Sequence, residues 1–310
     1  MIGELIESPF HPGERTAQLL AGSSPRGAAI RDWMPDQHRA FFAALPFVLT
    51  ATTDAAGWPV ATVLEGAPGF IASPDPWTLR IAARRDSDDP AAQCLKPEAS
   101  IALLGIDLAT RRRNRANGVI ATATEGGLVI EVRESFGNCP QYIHIRDLEV
   151  VPATPPATEV MNGLDQPSRE AIEAADTFFV ATSGGAAGVD ISHRGGRPGF
   201  VRLDGDTLTI PDFSGNRYFN TLGNMLLDAR AALLFADFAN GDVLHVQGRT
   251  EIVWEVPATE RLLGAKRLWR VSVTHAWRRR GALPFRWSLR AQSASVARTG
   301  SWNDTSGLIR

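Results

Sequence analysis

Apolar positions along the chain fall mostly into short runs separated by polar turns, a pattern that predicts strands. Phe200–Leu203 and Thr207–Ile210 flank Asp204–Gly205, a hairpin-turn dipeptide. Leu233–Phe238 and Val243–Ile252 flank Asn240–Gly241, a second hairpin signal. Helical spacing is rarer. It predicts short helices over 36–44 ("DQHRAFFAA") and 167–175 ("PSREAIEAA"), each ahead of an apolar run. A further helix is predicted over Arg217–Asp228, with Phe219, Leu222 and Leu226 on one face. Many short strands with few helices point to a small closed β-barrel.

The pattern occurs twice. "LPFVLTATTDAAGWPVATV" (45–63) lines up with "ADTFFVATSGGAAGVDIS" (175–192). "EGAPGFIASPDPWTLRIAA" (65–83) lines up with "GGRPGFVRLDGDTLTIPD" (195–212). "ASIALLGIDLATRRRNRANGVIA" (99–121) lines up with "RAALLFADFANGDVLHVQGRTEI" (230–252). Three segments in one order make a tandem repeat of about 130 residues, far longer than a solenoid unit. The Pro-rich stretch "VVPATPPATEV" (150–160) reads as the linker. Two mainly β domains are expected, at 1–152 and 153–310, and the tail from Arg290 on shows only weak periodicity, so partial disorder is expected there.

Composition adds bounds. Of the 310 residues, 44% are apolar and 21% charged, enough for a core of ordinary size. A net charge of −2 gives no global field for nucleic acid. The two cysteines, Cys94 and Cys139, form no closely spaced pair, and the six histidines show no zinc spacing, so no metal site is expected. "MIGELIESPFHPGER" places acidic residues before any apolar run, unlike a signal peptide. No apolar stretch approaches the roughly 20 residues of a spanning helix. The expectation is a cytoplasmic globular protein without a membrane or nucleic-acid partner.

Candidate chemistry gathers in the second half. "SGNRYFNTL" (214–222) follows a strand that Pro211 is expected to end. Ser214, Gly215 and Asn216 offer a helix cap and free amides, and Arg217 adds a forked cation in the expected first turn. This is a phosphate cradle by type. A solvated arginine, or one paired with Asp212, carries the same residues. "DISHRGGRPGF" (190–200) brings Ser192, His193, Arg194 and Arg197 together, as a solvated basic hairpin would too.

The order of these segments, "DISHRGGRPGFVRL", "DGDTLTIPDFSGNRYFNTLGNML", "ARAALLF" and "VLHVQGR", resembles the FMN-binding split-barrel superfamily of pyridoxamine 5′-phosphate oxidase, flavin-nucleotide-binding branch. The likeness covers 170–253 well and 40–145 more loosely, as a second copy. "FHPGE" and "SFGNCPQYI" (135–143) are similar to a two-barrel subgroup. The resemblance implies two tandem split β-barrels forming an intrachain pseudo-dimer, with FMN at their interface. It implies a phosphate near Asn216 and Arg217, and flavin contacts from Arg197, Pro198, Gly199 and Phe200 and from Pro211 and Asp212. Ser192, His193 and Arg194 fall near the cofactor, and Asn138, Cys139 and Tyr142 of the first half close the site. A structural role for Cys139 is the expectation, and no catalytic residue is assigned.

The two halves are not equal. Opposite "PDFSGNRYFNTL" the first half has "AARRDSDDPAAQCL" (82–95), where Asp86, Asp88 and Asp89 would repel a phosphate and Pro90 interrupts the helix start. Arg111, Arg113 and Arg115 share one face of an expected strand, which reads equally as a solvated edge. The implied function is an FMN-dependent oxidoreductase with a small-molecule substrate and a separate electron donor. A non-catalytic flavin-binding or sensing module, or a haem- or deazaflavin-binding split barrel, are the other readings. A monomer and a homodimer both fit.

Overall fold

The computed structural model describes residues 8–23 and 29–304. The first seven residues of the N-terminal segment and the last six of the tail lie outside the described residues. After α1 (Pro12–Leu20) and α2 (Asp36–Ala43), the first half contributes seven strands. They are β1 (Phe47–Thr53), β2 (Pro59–Glu65), β3 (Ile71–Asp75), β4 (Thr78–Ile81), β5 (Ser100–Asp107), β6 (Arg112–Thr124) and β7 (Gly127–Gly137). Between the halves run β8 (Ile145–Val150) and β9 (Ala157–Met161). The second half follows with α3 (Gln166–Ala174), β10 (Thr177–Ser183), β11 (Val189–Gly195), β12 (Arg202–Asp204) and β13 (Thr207–Phe213). It ends with α4 (Asn220–Leu227), β14 (Arg230–Ala236), β15 (Val243–Val253), β16 (Ala265–Arg280) and β17 (Phe285–Ala291).

The fold is mainly β, and the two halves share one plan. The first sheet runs β2-β1-β5-β6-β7-β4-β3, and the second runs β11-β10-β14-β15-β16-β13-β12. Each strand of one order has its counterpart in the other. All pairings are antiparallel, as hairpin connections require. Each sheet wraps its own core. Val48, Leu64, Ile101 and Leu103 pack in the first, and Phe178, Val180, Leu233 and Trp269 in the second.

A third cluster joins the halves. Leu49, Ala51, Ala102 and Leu104 meet Phe179, Ala181, Ile191, Ala232 and Leu234. Central strands β1, β5, β10 and β14 are therefore covered on both faces, which is why they read as nearly continuous apolar runs. Strands β8 and β17 pair with each other, Phe285 opposite Val150, so each half lends one strand to a shared ribbon.

Four expectations change. Pro211 does not end its strand: β13 continues to Phe213, with Pro211 opposite Leu268 of β16. The other neighbour, β12, stops at Arg202 opposite Thr209, so no donor is missed at Pro211 on that side. The linker stretch is in part strand, because β9 adds to β16 with Val160 opposite Trp277. The tail is packed as far as it is described: Trp302 Nε1 donates to Phe200 O at 3.0 Å. Finally, α4 starts at Asn220, and Arg217 precedes it in a loop. Phe219 holds the N-cap position in the left-handed region (φ 63°), as does Arg217 (φ 64°), so the backbone turns twice before a helix can begin.

Candidate functional site between the two halves

A cavity of about 340 Å³ opens at the seam of the two halves. Strand β6 of the first half supplies Arg113 and Arg115, and the loop after β7 supplies Asn138, Cys139, Gln141 and Tyr142. From the second half come Ser192–Gly195 on β11, Pro211–Phe213 on β13, the 214–217 loop, the start of α4, and Lys266 and Arg267 on β16. Ala21–Ser23, just beyond α1, complete the wall.

Arg115 builds the floor. It is 6% exposed on an interior strand, not a solvated edge. Its Nη1 donates to both Asp190 oxygens at 2.7 Å, and its Nη2 donates to Ser192 Oγ at 2.6 Å. Thr221 at the start of α4 donates to Ser192 Oγ at 2.8 Å. This network fixes β6, β11 and α4 relative to one another, because a buried guanidinium holds its geometry only when its donors find acceptors.

Above the floor the cations are less well matched. Arg113 Nη1 lies 3.1 Å from His193 Nδ1. A guanidinium can only donate, so Nδ1 accepts and the imidazole proton sits on Nε2. Burial, and then the Arg113 charge, holds His193 well below its usual pKa, so the ring is neutral. Arg113 itself is pushed down to about 10, first by burial and then by Arg115. Arg194 and Arg267 flank Asp212 at 3.5 and 3.4 Å. Burial lowers Arg194 and raises Asp212, and their mutual attraction opposes both shifts.

Donors are left over. Arg113 Nε, Arg194 Nε and His193 Nε2 are buried without a hydrogen-bond partner, and Arg267 Nη1 has the 3.4 Å ion pair to Asp212 but no hydrogen bond. Such atoms cost about 1–3 kcal/mol each when nothing satisfies them. Six cationic side chains line the cavity (Arg113, Arg115, Arg194, Arg217, Lys266 and Arg267), with Asp212 as the lining carboxylate. Asp190 stands behind Arg115. The first-turn amides of α4 add partial positive charge at Asn220–Leu222. The donor set suits an anion, with room for a larger polar body.

The residues expected from sequence divide. Ser192, His193, Arg194, Phe200, Pro211, Asp212, Asn216, Arg217, Asn138, Cys139 and Tyr142 all line this cavity. Arg197 and Pro198 do not. They line a separate surface cleft with Gln292 and Ser301, and Arg197 pairs with Asp304 at 3.3 Å. Gly199 turns there at φ 80° against Ser301 and Asn303. The turn after β11 carries these three residues away from the seam. Arg217 and Asn216 are exposed on the rim, and Asn216 Oδ1 is taken by the Tyr218 amide at 3.1 Å. Lys266, Arg267, Asn220, Thr221 and Ala21–Ser23 were not foreseen. For Lys266 and Arg267 the paired cations opening a strand are the only signal in the sequence.

The family model of pyridoxamine 5′-phosphate oxidase matches residues 164–283. Over that stretch, which is less than half of the chain, the protein is similar to pyridoxamine 5′-phosphate oxidase. The match spans the second sheet from α3 to the end of β16. Among solved structures, a HupZ variant from Group A Streptococcus is 18% identical, covering 37% of this chain and 98% of its own, with a TM-score of 0.30. A putative pyridoxamine 5′-phosphate oxidase from Lactobacillus delbrueckii is 18% identical, covering 34% and 95%, with a TM-score of 0.27. An FAD-binding protein from Mesorhizobium loti is 12% identical, covering 40% and 97%, with a TM-score of 0.27. No curated protein matches the chain. No helix among the described residues is long and apolar enough to cross a membrane, and none of their His, Cys, Asp and Glu side chains group into a metal site.

Proposed function

We propose that this split-barrel protein binds one FMN in the cavity between its halves and serves as an oxidoreductase. The observation that carries the reading is the crowd of cationic side chains, Arg113, Arg194, Arg217, Lys266 and Arg267, that line one cavity with Asp212 as the lining carboxylate. A phosphate monoester supplies acceptors for such a set, and a guanidinium fork matches its oxygens. Bound FMN would supply hydride or electron transfer. The chain's own residues would then do the rest. Arg194 and Arg267 would hold the anion, while Tyr142, stacked on Phe213 at 5.5 Å, would limit water entry from one side. Neutral His193, accepting from Arg113 at Nδ1, would hold that arginine in place beside the anion. The substrate would be a small molecule entering at the rim, with electrons from a separate donor.

The absorbance spectrum of purified protein tests the reading, followed by titration with FMN and anaerobic addition of reduced nicotinamide. The expected result is a flavin spectrum with one FMN per chain that bleaches on reduction. A colourless protein that takes up no FMN rejects it. Tight FMN binding without reduction by any nicotinamide donor would mark a binding or sensing module instead.

A further inference from the structure

Helix α1 lies outside both sheets, yet it is built into the back of the cavity. Gly13 sits against α4 so closely that a Cβ there would come within 2.2 Å of Gly223 O. A Cβ on Gly223 would meet the Glu14 backbone at 2.6 Å. This approach carries the Glu14 carboxyl, 4% exposed, in behind Asn220. Its Oε2 accepts the His11 N–H at 3.0 Å, and its Oε1 accepts the Asn220 amide. At the other end of that amide, Asn220 Oδ1 accepts from Arg115 Nη1 at 3.3 Å. Arg115 only donates, so Asn220 must turn its oxygen to Arg115 and its nitrogen to Glu14. One side-chain amide thus links a carboxyl on the N-terminal helix to the arginine that holds Asp190 and Ser192.

Resting on the flavin reading above, we propose that Glu14 is a positioning residue of this cavity. Its charge, felt through Asn220 and Arg115, sets how tightly the cavity holds the phosphate of the flavin and makes that affinity fall in alkali. The groups facing Glu14 are His11 on its own cap, Asp190 on β11, Arg115 on β6, Glu134 on β7, and Asn220 on α4. Asn224, also on α4, meets His11. Burial is the largest influence on Glu14; Asp190 and Glu134 add to it, against hydrogen bonds from His11 and Asn220, and the carboxyl is pushed up to about 8. Glu14 is therefore mostly neutral near pH 7. Above pH 8 it brings a further negative charge behind the arginine floor, opposing a phosphate dianion. By linkage, a bound dianion raises the proton affinity of Glu14, so binding takes up protons as pH rises through this range. Burial lowers His11, so it is already neutral there.

The test is the FMN dissociation constant from pH 7 to pH 9, read by flavin fluorescence quenching. The second phosphate ionisation lies near pH 6, so the ligand's phosphate charge is essentially constant over that span. A coupled pKa shift of one unit is only partly expressed by pH 9, so wild type is expected to lose roughly fivefold in affinity over this span. Glu14→Gln, which keeps the shape and an acceptor for Asn220, is expected to give a flat profile. Riboflavin, which lacks the phosphate, is expected to bind wild type with a flat profile too. Glu134→Gln should keep a pH-dependent profile, moved to lower pH because Glu134 helps to raise Glu14. A flat wild-type profile overturns the proposal whatever the variants do, and so does an unchanged slope in Glu14→Gln. Glu14→Ala with weakened binding but the wild-type slope would assign Glu14 a purely structural role and overturn it as well. Failure of wild type to bind FMN at any pH is a different result, which removes the flavin reading itself.

Discussion

The molecule has two seams related by its internal repeat, and only one of them holds this cavity. Strand register identifies the equivalent positions. Thr50 of β1 pairs with Thr62 and Leu103, as Val180 of β10 pairs with Ser192 and Leu233. Carried one strand further, the position of Arg115 is His245, since Leu104 faces Arg115 and Leu234 faces His245. Asp190, Ser192, His193 and Arg194 correspond to Val60, Thr62, Val63 and Leu64. The cationic floor of one seam is apolar or neutral in the other. Burial pushes His245 down to about 4, and its ring stacks on Trp277 at 4.6 Å.

The loops differ more than the strands. After β13 the chain runs through Ser214–Arg217 into α4, whose first turn lines the cavity. After β4 it forms only a 3₁₀ turn at Ala92–Cys94 and folds Asp89 inward, 1% exposed. Asp89 accepts from Thr62 Oγ1 and from Arg279 Nη1, and Asp86 pairs with the same arginine. The sequence reading placed these aspartates as groups that repel a phosphate. The structure gives them a more specific part: they are the internal anion that Arg279, reaching across from the second half, would otherwise lack. One scaffold thus meets its buried arginines in two ways: two carboxylates close on Arg279 in one seam, while in the other six cationic side chains line a cavity with Asp212 as the lining carboxylate.

The sharpest way to break this comparison is to remove the arginine that pairs with the buried aspartate of each seam. Arg115→Met leaves Asp190 buried without its partner, and Arg279→Met does the same to Asp89. Each is expected to lower unfolding free energy by about 3–5 kcal/mol, the usual cost of breaking a buried pair from one side. Urea unfolding should show similar losses for the two. Flavin titration should separate them: Arg115→Met abolishes binding, and Arg279→Met leaves the affinity of the surviving folded protein within a few-fold of wild type. Equal loss of flavin in both would mean that the seams act as one site.

Next in size is the surplus charge itself. Arg113 and Arg194 each carry a buried donor with no acceptor, and Asp212 keeps Arg267 at 3.4 Å when Arg194 is lost, so removing them should weaken the ligand more than the fold. Arg113→Ala with Arg194→Ala is expected to cost about 3 kcal/mol of FMN binding, roughly a hundredfold, at about 1.5 kcal/mol or more per charged hydrogen bond. Thermal unfolding without ligand should show a smaller loss than Arg115→Met, because Asp212 retains Arg267. A large drop in unliganded stability would show that these arginines are structural, as Arg279 is.

The repeat, the hairpins and three of the four helices were legible because short apolar runs between Gly, Asn and Asp turns are a local signal. The seam was less so. Arg113 and Arg115 stood out as cations on one strand face, but whether that face meets solvent or Asp190 depends on a strand 75 residues away. Lys266 and Arg267 had no pattern around them that distinguishes a cavity wall from a surface. Glu14 was visible only as part of "FHPGE", and its burial depends on the two glycines that let α1 and α4 touch. Arg197–Gly199 failed for the opposite reason. They sit beside true lining residues in sequence, yet Gly199 takes a left-handed turn that carries them to another face.

The smallest expected effect falls on the residue that sequence made most prominent. Arg217 sits on the rim, exposed, and makes no ion pair among the described residues. Water screens a contact there far more than one at Arg194, and exposed pairs contribute about 0–1 kcal/mol. Arg217→Ala is therefore expected to weaken FMN by only a few-fold, with a loss that shrinks as salt is added. Its left-handed backbone supplies a second arm, since Arg217→Gly relieves φ 64° while removing the same charge. Equal affinities for the two variants at low salt would make the loss one of charge alone. A hundredfold loss in either would move the phosphate from the inner arginines to the 214–217 loop. The contrast between the seams would then rest on that loop and not on their floors.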